Sequence, residues 1–480
     1  MNRSLLARMV GRILLIGAAC MTPSLLLALM DHTPDTRAFA ITMGIMLALG
    51  GASYLLKTSS DTWRPRDALG AVTISWLAIS AFGALPFTLS GFIPSYVDAF
   101  FESVSGFTTT GSTILLDIES LPRSLLFWRS FTHWIGGMGV LVLSLAVLPR
   151  MGGRSLFLLR AESAGPDPGK MVPRIGVSVR LSYSIYIILS VILTVILLFC
   201  GMDLYDALIH TFGTAGTGGF SNYAASVGHF HSASVDVVIS IFMLLFGVNF
   251  TMYFCAVTRN FKAIWRSTEL RLYVVAVVVS VLAIAVSILP RYADFGTAVR
   301  YSLFQVSSII TTTGYATDDF NLWPTFARCV LVLFMFTGCC AGSTGGGMKL
   351  IRVSILLKNL YREIRKTVRP REVNIVRIDG RAASEEIVSS VHVFFFAYIF
   401  VIITAVLFCS FDGLDFESTS TAVIACIGNI GPGLGQVGPV GNFAMFSPIS
   451  KIVLSLCMLI GRLDIFPILM IFTRKAWSRP

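Results

Sequence analysis

The sequence predicts an all-α integral membrane protein: a fourfold pseudo-symmetric, channel-like bundle of span–pore-helix–filter-loop–span repeats, with two extra N-terminal transmembrane helices. Three observations predict it. The 480 residues are 55% hydrophobic and only 13% charged, against roughly 25% charged in soluble domains. Apolar runs near 8–30, 38–56, 68–90, 126–149, 183–201, 235–257, 271–290, 327–355, 389–411 and 450–473 reach the ~18 residues that cross a bilayer as a helix. Four short loops recur between paired spans: Thr108 to Ser112 (TTTGS), Gly216 to Phe220 (GTGGF), Thr311 to Tyr315 (TTTGY) and Asn429 to Gly433 (NIGPG). Their glycines Gly111, Gly218, Gly314 and Gly431 stand roughly 100 residues apart, the mark of an internal repeat. No alternating barrel pattern is present.

Residues 1–62 carry the two leading spans. Arg3, Arg8 and Arg12 followed by an apolar run through Gly17–Cys20 have the outline of a signal peptide. The run continues to Met30 and a second span follows at once, so a retained helix is expected. Repeat 1 occupies 63–150. After its first span come a turn with Pro94 and Ser95, the ten residues Asp98 to Phe107, the TTTGS loop, and a second span. Ten helical residues cross half a bilayer. Repeats 2, 3 and 4 follow the same plan over 151–258, 259–357 and 358–480. Non-helical backbone at membrane depth is tolerated only where it is buried or lines water, so four such loops imply a pore. Threonine favours extended backbone and adds a hydroxyl oxygen. Glycine permits the positive φ that lets consecutive carbonyls converge. Carbonyl rings of this kind replace a cation's hydration shell, and the half-helices aim their negative C-terminal ends at it.

The formal charge of +11 is explained by where it lies. Loop 150–182 holds Arg150, Arg154, Arg160, Lys170, Arg174 and Arg180; loop 258–271 holds Arg259, Lys262, Arg266 and Arg271. Another basic run extends from Lys349 to Arg381, whereas 221–235 and 432–450 contain no lysine or arginine. That alternation is the positive-inside pattern, which puts the filter loops outside and both termini in the cytoplasm. It leaves no excess charge to suggest nucleic-acid binding. The nine cysteines sit mostly in apolar spans without a C-x-x-C pair and read as small buried side chains.

Two further features belong to the pore. The eighth span is interrupted between Gly338 and Lys349, where Gly338, Gly342, Gly345, Gly346 and Gly347 crowd five glycines into ten residues. Each costs a helix about 1 kcal/mol relative to alanine, so a flexible loop at mid-membrane, a gate, is expected. It lacks the G-K-S/T of a phosphate loop. Arg462 stands half-way along the last span, where a charge faces a cavity or a partner, not lipid. His133 and Asn249 are expected to form interhelical hydrogen bonds, and Lys451 to snorkel near a span end. No nucleophile–base pair, paired carboxylates or metal cluster supports an enzyme, and no span carries the arginine periodicity of a voltage sensor.

The chain resembles the Trk/Ktr/HKT superfamily of potassium transporters, in particular its TrkH-type membrane subunits. The resemblance rests on FFESVSGFTTTG ending at Gly111, HWIGGMG (His133 to Gly139), GGFS (Gly218 to Ser221) and TTTGYATD. It rests also on CAGSTGGGMK, GNIGPGLG (Gly428 to Gly435) and GRLDIF (Gly461 to Phe466). These cover all four repeats in order. The resemblance implies K⁺ held by Thr109 and Thr110, Thr217 and Gly218, Thr312 and Thr313, and Asn429 and Ile430, with filter glycines Gly111, Gly219, Gly314 and Gly431. It implies a gate of Gly338, Gly342, Gly345, Gly346, Gly347 and Lys349 with Arg462 beside it. It also implies a homodimer in the bacterial inner membrane and a cytosolic TrkA-like nucleotide-binding regulatory partner, with no organic cofactor on this chain. Thr217 and Ser112 depart from the usual aliphatic residue and alanine, and Pro467 is expected to kink the last span. A single glycine per filter implies one well-formed site and weaker rejection of sodium. The alternative on the same fold is a Na⁺- or H⁺-coupled K⁺ symporter, which needs a second ion site or a titratable intramembrane carboxylate; Asp464 is the candidate deep in a span, with Asp318 and Asp319 expected at the outer vestibule.

Overall fold

The computed structural model describes residues 3–56, 65–139, 175–292, 294–372 and 374–471. Expectations that fall on 140–174, including most of the first basic loop and the end of span 126–149, lie outside the described residues. The N-terminal pair is α1 (Arg3–Cys20), continued after a break at Met21 by α2 (Thr22–Met30), and α3 (Asp35–Ala52). Met9, Ile13 and Ala18 on α1 and Phe39 and Met46 on α3 are buried within one continuous core that also takes in Trp76 and Phe107.

Each repeat then follows one plan. Repeat 1 has α4 (Pro65–Gly83) with its extension α5 (Leu85–Leu89), pore helix α6 (Tyr96–Phe107) and second helix α7 (Arg123–Gly137). Repeat 2 has α8 (Ile175–Phe199), pore helix α9 (Leu204–Gly216) and second helix α10 (Ala233–Phe246), followed by α11 (Phe250–Val257) and α12 (Phe261–Arg266). Repeat 3 has α13 (Thr268–Ile288), pore helix α14 (Phe295–Ile310), second helix α15 (Thr325–Thr337) and, past the glycine loop, α16 (Leu350–Val368). A two-stranded hairpin, β1 (Arg377–Ile378) and β2 (Arg381–Ala382), pairs antiparallel with Arg377 opposite Ala382. Repeat 4 has α17 (Glu385–Cys409), pore helix α18 (Phe416–Gly428), second helix α19 (Pro448–Leu463) and α20 (Ile465–Ile471).

Among the described residues six helices are long and apolar enough to cross a membrane unbroken, seven if the bent pair α10–α11 is one span. The sequence suggests ten, and the shortfall lies in the second helices. They are only 15, 14, 13 and 16 residues long, and the reading as continuous spans at 235–257, 327–355 and 450–473 is corrected. Repeat 2 breaks where Asn249 caps a new helix through the Thr251 amide at 2.8 Å, and α11 leaves α10 at 91°. Repeat 3 breaks at Gly338 with φ 68°, and repeat 4 at Asp464 with φ 66°. The last break therefore precedes Pro467, which sits in the first turn of α20. The first helices instead present apolar faces outward, with Val275, Val279 and Val286 on α13 57%, 59% and 64% exposed. Such faces suit a lipid belt.

Candidate ion-conduction site

The four pore helices are built alike. Each begins at a Ser or Asp cap: Ser95 accepts from the Asp98 amide, Asp203 from Asp206, Asp294 from Thr297 and Asp415 from Ser418. A side-chain oxygen in that position satisfies an amide that the helix itself leaves unpaired. Each helix also ends alike. The amides of Thr110, Gly218, Thr313 and Ile430 reach back five residues, to Ser105, Gly213, Ser308 and Ala425, at 2.8, 2.8, 2.8 and 3.0 Å. The residue before each is left-handed: Thr109 at φ 54°, Thr217 at 55°, Thr312 at 58° and Asn429 at 53°. This is the Schellman ending, normally closed by glycine. A β-branched threonine there costs about 1–3 kcal/mol and persists only where its surroundings hold it.

Two residues later each chain is left-handed again, at Gly111, Gly219, Gly314 and Gly431, with φ 86°, 77°, 84° and 101°. Gly219, and not Gly218, is thus the true counterpart of the other three, while Thr217 and Gly218 match Thr109 and Thr110. The loops close into a ring. A Cβ on Gly111 would lie 2.0 Å from the Gly218 carbonyl oxygen, and one on Gly219 2.1 Å from that of Thr313. On Gly314 it would lie 1.9 Å from the Ile430 carbonyl oxygen, and on Gly431 2.9 Å from that of Thr110. Repeat 1 therefore touches 2, 2 touches 3, 3 touches 4, and 4 returns to 1, with only hydrogens separating backbone from backbone. All four glycines line one vestibule with a volume of about 100 Å³. The pore-helix C-termini meet at this ring and add negative potential where carbonyls gather.

The ring is held from behind by residues that periodicity does not single out. Glu102, 1% exposed, accepts from Thr113 at 2.9 Å, from the Ile114 amide at 3.0 Å and from Arg129 Nε at 2.6 Å. Arg129 also donates to the Ser221 carbonyl at 2.9 Å and lies 3.5 Å from the Phe220 ring centroid. The pair thus braces the segments that follow filters 1 and 2. Removing one partner of a buried ion pair costs roughly 3–5 kcal/mol. Glu102→Gln is accordingly expected to lower the thermal unfolding midpoint in detergent, and Glu102→Gln with Arg129→Met to recover part of that loss. Equal midpoints for wild type and Glu102→Gln would remove the brace from the account.

His133 makes an interhelical bond, with Nδ1 2.8 Å from the Gly106 carbonyl, and its ring packs on Phe220. Asn249 does not; it caps α11 instead. Lys451 is not a snorkelling end residue either: it is buried and pairs with Asp98 at 2.6 Å, joining α19 to the start of pore helix α6. Ser112 donates to the Gly431 carbonyl at 3.1 Å, a second tie between repeats 1 and 4.

The glycine loop 338–349 lies against the helix side of the ring, opposite the vestibule. The Gly346 amide donates to Thr312 Oγ1 at 2.9 Å. A Cβ on Gly345 would lie 2.9 Å from the Thr311 carbonyl oxygen, and one on Gly346 2.7 Å from Asn429. Lys349 is buried and turns back onto the Gly345 carbonyl, while Gly338 and Gly342 sit at positive φ that lets the loop fold. Arg462 completes the underside. Its guanidinium donates to the Thr344 carbonyl at 2.5 Å, the Gly136 and Gly137 carbonyls at 2.5 and 2.7 Å, and Thr109 Oγ1 at 3.2 Å. Gly338, Gly342, Gly345, Gly346, Gly347, Lys349 and Arg462 therefore come together in one place. Two of the four left-handed non-glycine residues of the ring, Thr109 and Thr312, are held directly by this layer.

Asp464 is engaged elsewhere. It forms a two-pronged pair with Arg352 at 2.9 and 2.8 Å, and Arg352 stacks 3.8 Å from the Phe394 ring. Both of its carboxylate oxygens are thus taken up in an ion pair that joins α16 to the end of α19. Asp318 bonds Tyr292 and Trp323 Nε1, and Asp319 caps a short turn at Asn321. The oxygen-rich ring is thus backbone and hydroxyl in character, suited to a desolvated monovalent cation.

Comparison with known proteins agrees with this architecture. The TrkH family profile, described as "Cation transport protein", matches residues 35–479. The chain is 37% identical over 480 residues to the Trk system potassium uptake protein TrkH of Escherichia coli (strain K12), covering 98% of this chain and 99% of that one. It is 34% identical over 475 residues to the Trk system potassium uptake protein TrkG of the same strain, covering 98% and 97%. The crystal structure of the potassium transporter TrkH from Vibrio parahaemolyticus superposes with a TM-score of 0.89 at 34% identity, over 100% of both chains. These relatives are membrane transport proteins and not enzymes. On the matched length, the fold and the four-loop ring together, the chain belongs to the TrkH family of cation transport proteins.

Proposed function

We propose that this chain is the ion-translocating subunit of a Trk-type system that takes up potassium across the bacterial inner membrane. The observation that carries the reading is the ring of four equivalent loops, each left-handed at the same two positions and each in backbone contact with the next. K⁺ is held there by the carbonyls of Thr109 and Thr110, Thr217 and Gly218, Thr312 and Thr313, and Asn429 and Ile430, with Gly111, Gly219, Gly314 and Gly431 allowing their approach. Loop 338–349 and Arg462 form the gate: they fill the space on the inner side of the ring and bond its threonines. The distribution of lysine and arginine supports vestibule outside and termini inside.

The relatives are named as proteins of a Trk system, which supports a second component. We assign that role to a cytosolic TrkA-like nucleotide-binding subunit docked on the basic inner segments, and the translocating unit to a homodimer of this chain. The test is rubidium uptake and potassium-limited growth in a host without its own potassium uptake systems, with and without such a partner. Partner-dependent uptake is expected. Protein present in the membrane with no uptake under either condition would overturn potassium as the cargo. Mass measurement in detergent checks the dimer: a single-chain mass would exclude it.

A further inference from the structure

The segment between repeats 2 and 3 is fastened to the gate loop at both ends. At its start, Thr344 Oγ1 donates to the Phe246 carbonyl at 3.2 Å, the Cys340 amide to the Gly247 carbonyl at 3.2 Å, and the Phe250 amide to the Gly342 carbonyl at 3.0 Å. At its end, Glu269 Oε1 accepts from the amides of Ala341 and Ile351 at 2.8 and 3.1 Å, on either side of the glycines. Tyr253 braces the bend by donating to the Leu245 carbonyl at 2.6 Å. A displacement of this segment therefore has to be taken up by the loop under the ring.

Between those anchors the chain is exposed and has an uncommon composition. α11 leaves α10 at 91°, and the chain becomes exposed toward the end of α11 and into α12. Val257, Phe261 and Trp265 are 80%, 55% and 77% exposed. Arg259, Lys262 and Arg266 are exposed among them, and residues 251–268 contain no aspartate or glutamate. Exposed aromatic side chains interleaved with cations match the apolar boundary and the negative headgroups of an acidic bilayer surface.

We propose that residues 250–266 form a docking site for acidic phospholipid of the cytoplasmic leaflet, and that lipid seated there draws on Gly342 and Ala341 and opens the gate. The inference rests on the inward orientation of this segment given above. Trp265 and Phe261 enter the acyl boundary while Arg259, Lys262 and Arg266 bind headgroup phosphates.

The test uses the full chain, with its regulatory partner supplied for the uptake measurements, in vesicles of phosphatidylcholine alone or with added phosphatidylglycerol. Brominated lipids quench a tryptophan that they touch, and the difference between wild type and Trp265→Phe isolates Trp265. Brominated phosphatidylglycerol is expected to quench Trp265 more strongly than brominated phosphatidylcholine. Each cation near a charged surface is worth about fivefold in preference, so the triple variant Arg259→Gln, Lys262→Gln, Arg266→Gln should lower that preference by roughly a hundredfold. Rubidium uptake should rise with phosphatidylglycerol in wild type and stay flat in the triple variant. Equal quenching by both lipids overturns the docking site. An equal uptake response in wild type and triple variant overturns the coupling, and stimulation by soluble inorganic phosphate in neutral vesicles overturns the lipid as ligand. Quenching needs no ion flux, so absence of uptake in every vesicle counts against potassium transport while the lipid assignment is still decided.

Discussion

Gly314→Ser is expected to abolish rubidium uptake while leaving the protein in the membrane. The new Cβ would stand 1.9 Å from the Ile430 carbonyl oxygen and 2.9 Å from Pro432 Cδ, with φ at 84°. Neither neighbour is the free end of a flexible side chain, so the backbone itself must move. The left-handed conformation alone costs a non-glycine residue about 1–3 kcal/mol, and at 1.4 kcal/mol per factor of ten the clash takes the loss well past ~tenfold. Gly91→Ser separates the two effects. Gly91 has φ 81° but open space around its Cβ position, so it carries the strain without the collision and should retain uptake. Normal uptake by Gly314→Ser, with the variant confirmed in the membrane, would remove the third loop from the filter.

Much of this ring was legible in the sequence because its ingredients are local. A short helix and the glycine-bearing loop that follows it are read within about twenty residues. Even there, the second loop offered two adjacent glycines, and only backbone angles separate Gly219 from Gly218. The breaks in the second helices were harder to read. Five clustered glycines mark the one in repeat 3, but a lone Gly247 precedes the break at Asn249, and Asp464 breaks its helix without glycine or proline at the point of change. Ion pairs were the least legible. Lys451 meets Asp98 and Arg352 meets Asp464 across 353 and 112 positions of chain. No periodicity within one segment encodes a partner in another. Glu102 was visible as a residue of the first pore helix, yet its role depends on Arg129, which is supplied by the next helix of the same repeat.

Arg462→Gln is expected to raise rubidium uptake and free it from a regulatory partner. Two effects compete, and their sizes decide the sign. A positive charge about 4 Å from a passing cation opposes it by about 1 kcal/mol in bulk water and ~4 kcal/mol at an effective dielectric of 20. Arg462 lies within 3.2 Å of Thr109 in the ring, so losing its charge lowers the barrier by an amount in that range. Against this, the guanidinium ties the Thr344 carbonyl of the gate loop to the Gly136 and Gly137 carbonyls of α7. Glutamine is shorter and keeps at most part of that fork, which releases the loop and again favours passage. The opposing contribution is that Thr109 loses a donor to its hydroxyl, about 1.5–3 kcal/mol for a hydrogen bond to a charged group, and that loss loosens the left-handed turn on which selectivity depends. Uptake should therefore rise by roughly tenfold, at 1.4 kcal/mol per factor of ten, while the preference for rubidium over sodium declines. Arg462→Lys separates charge from geometry: it keeps the repulsion but cannot span the same carbonyls, so its uptake should stay near wild type. Uptake by Arg462→Gln at or below the wild-type rate, in protein that unfolds at the wild-type temperature, would show that Arg462 holds the structure and does not bar the ion.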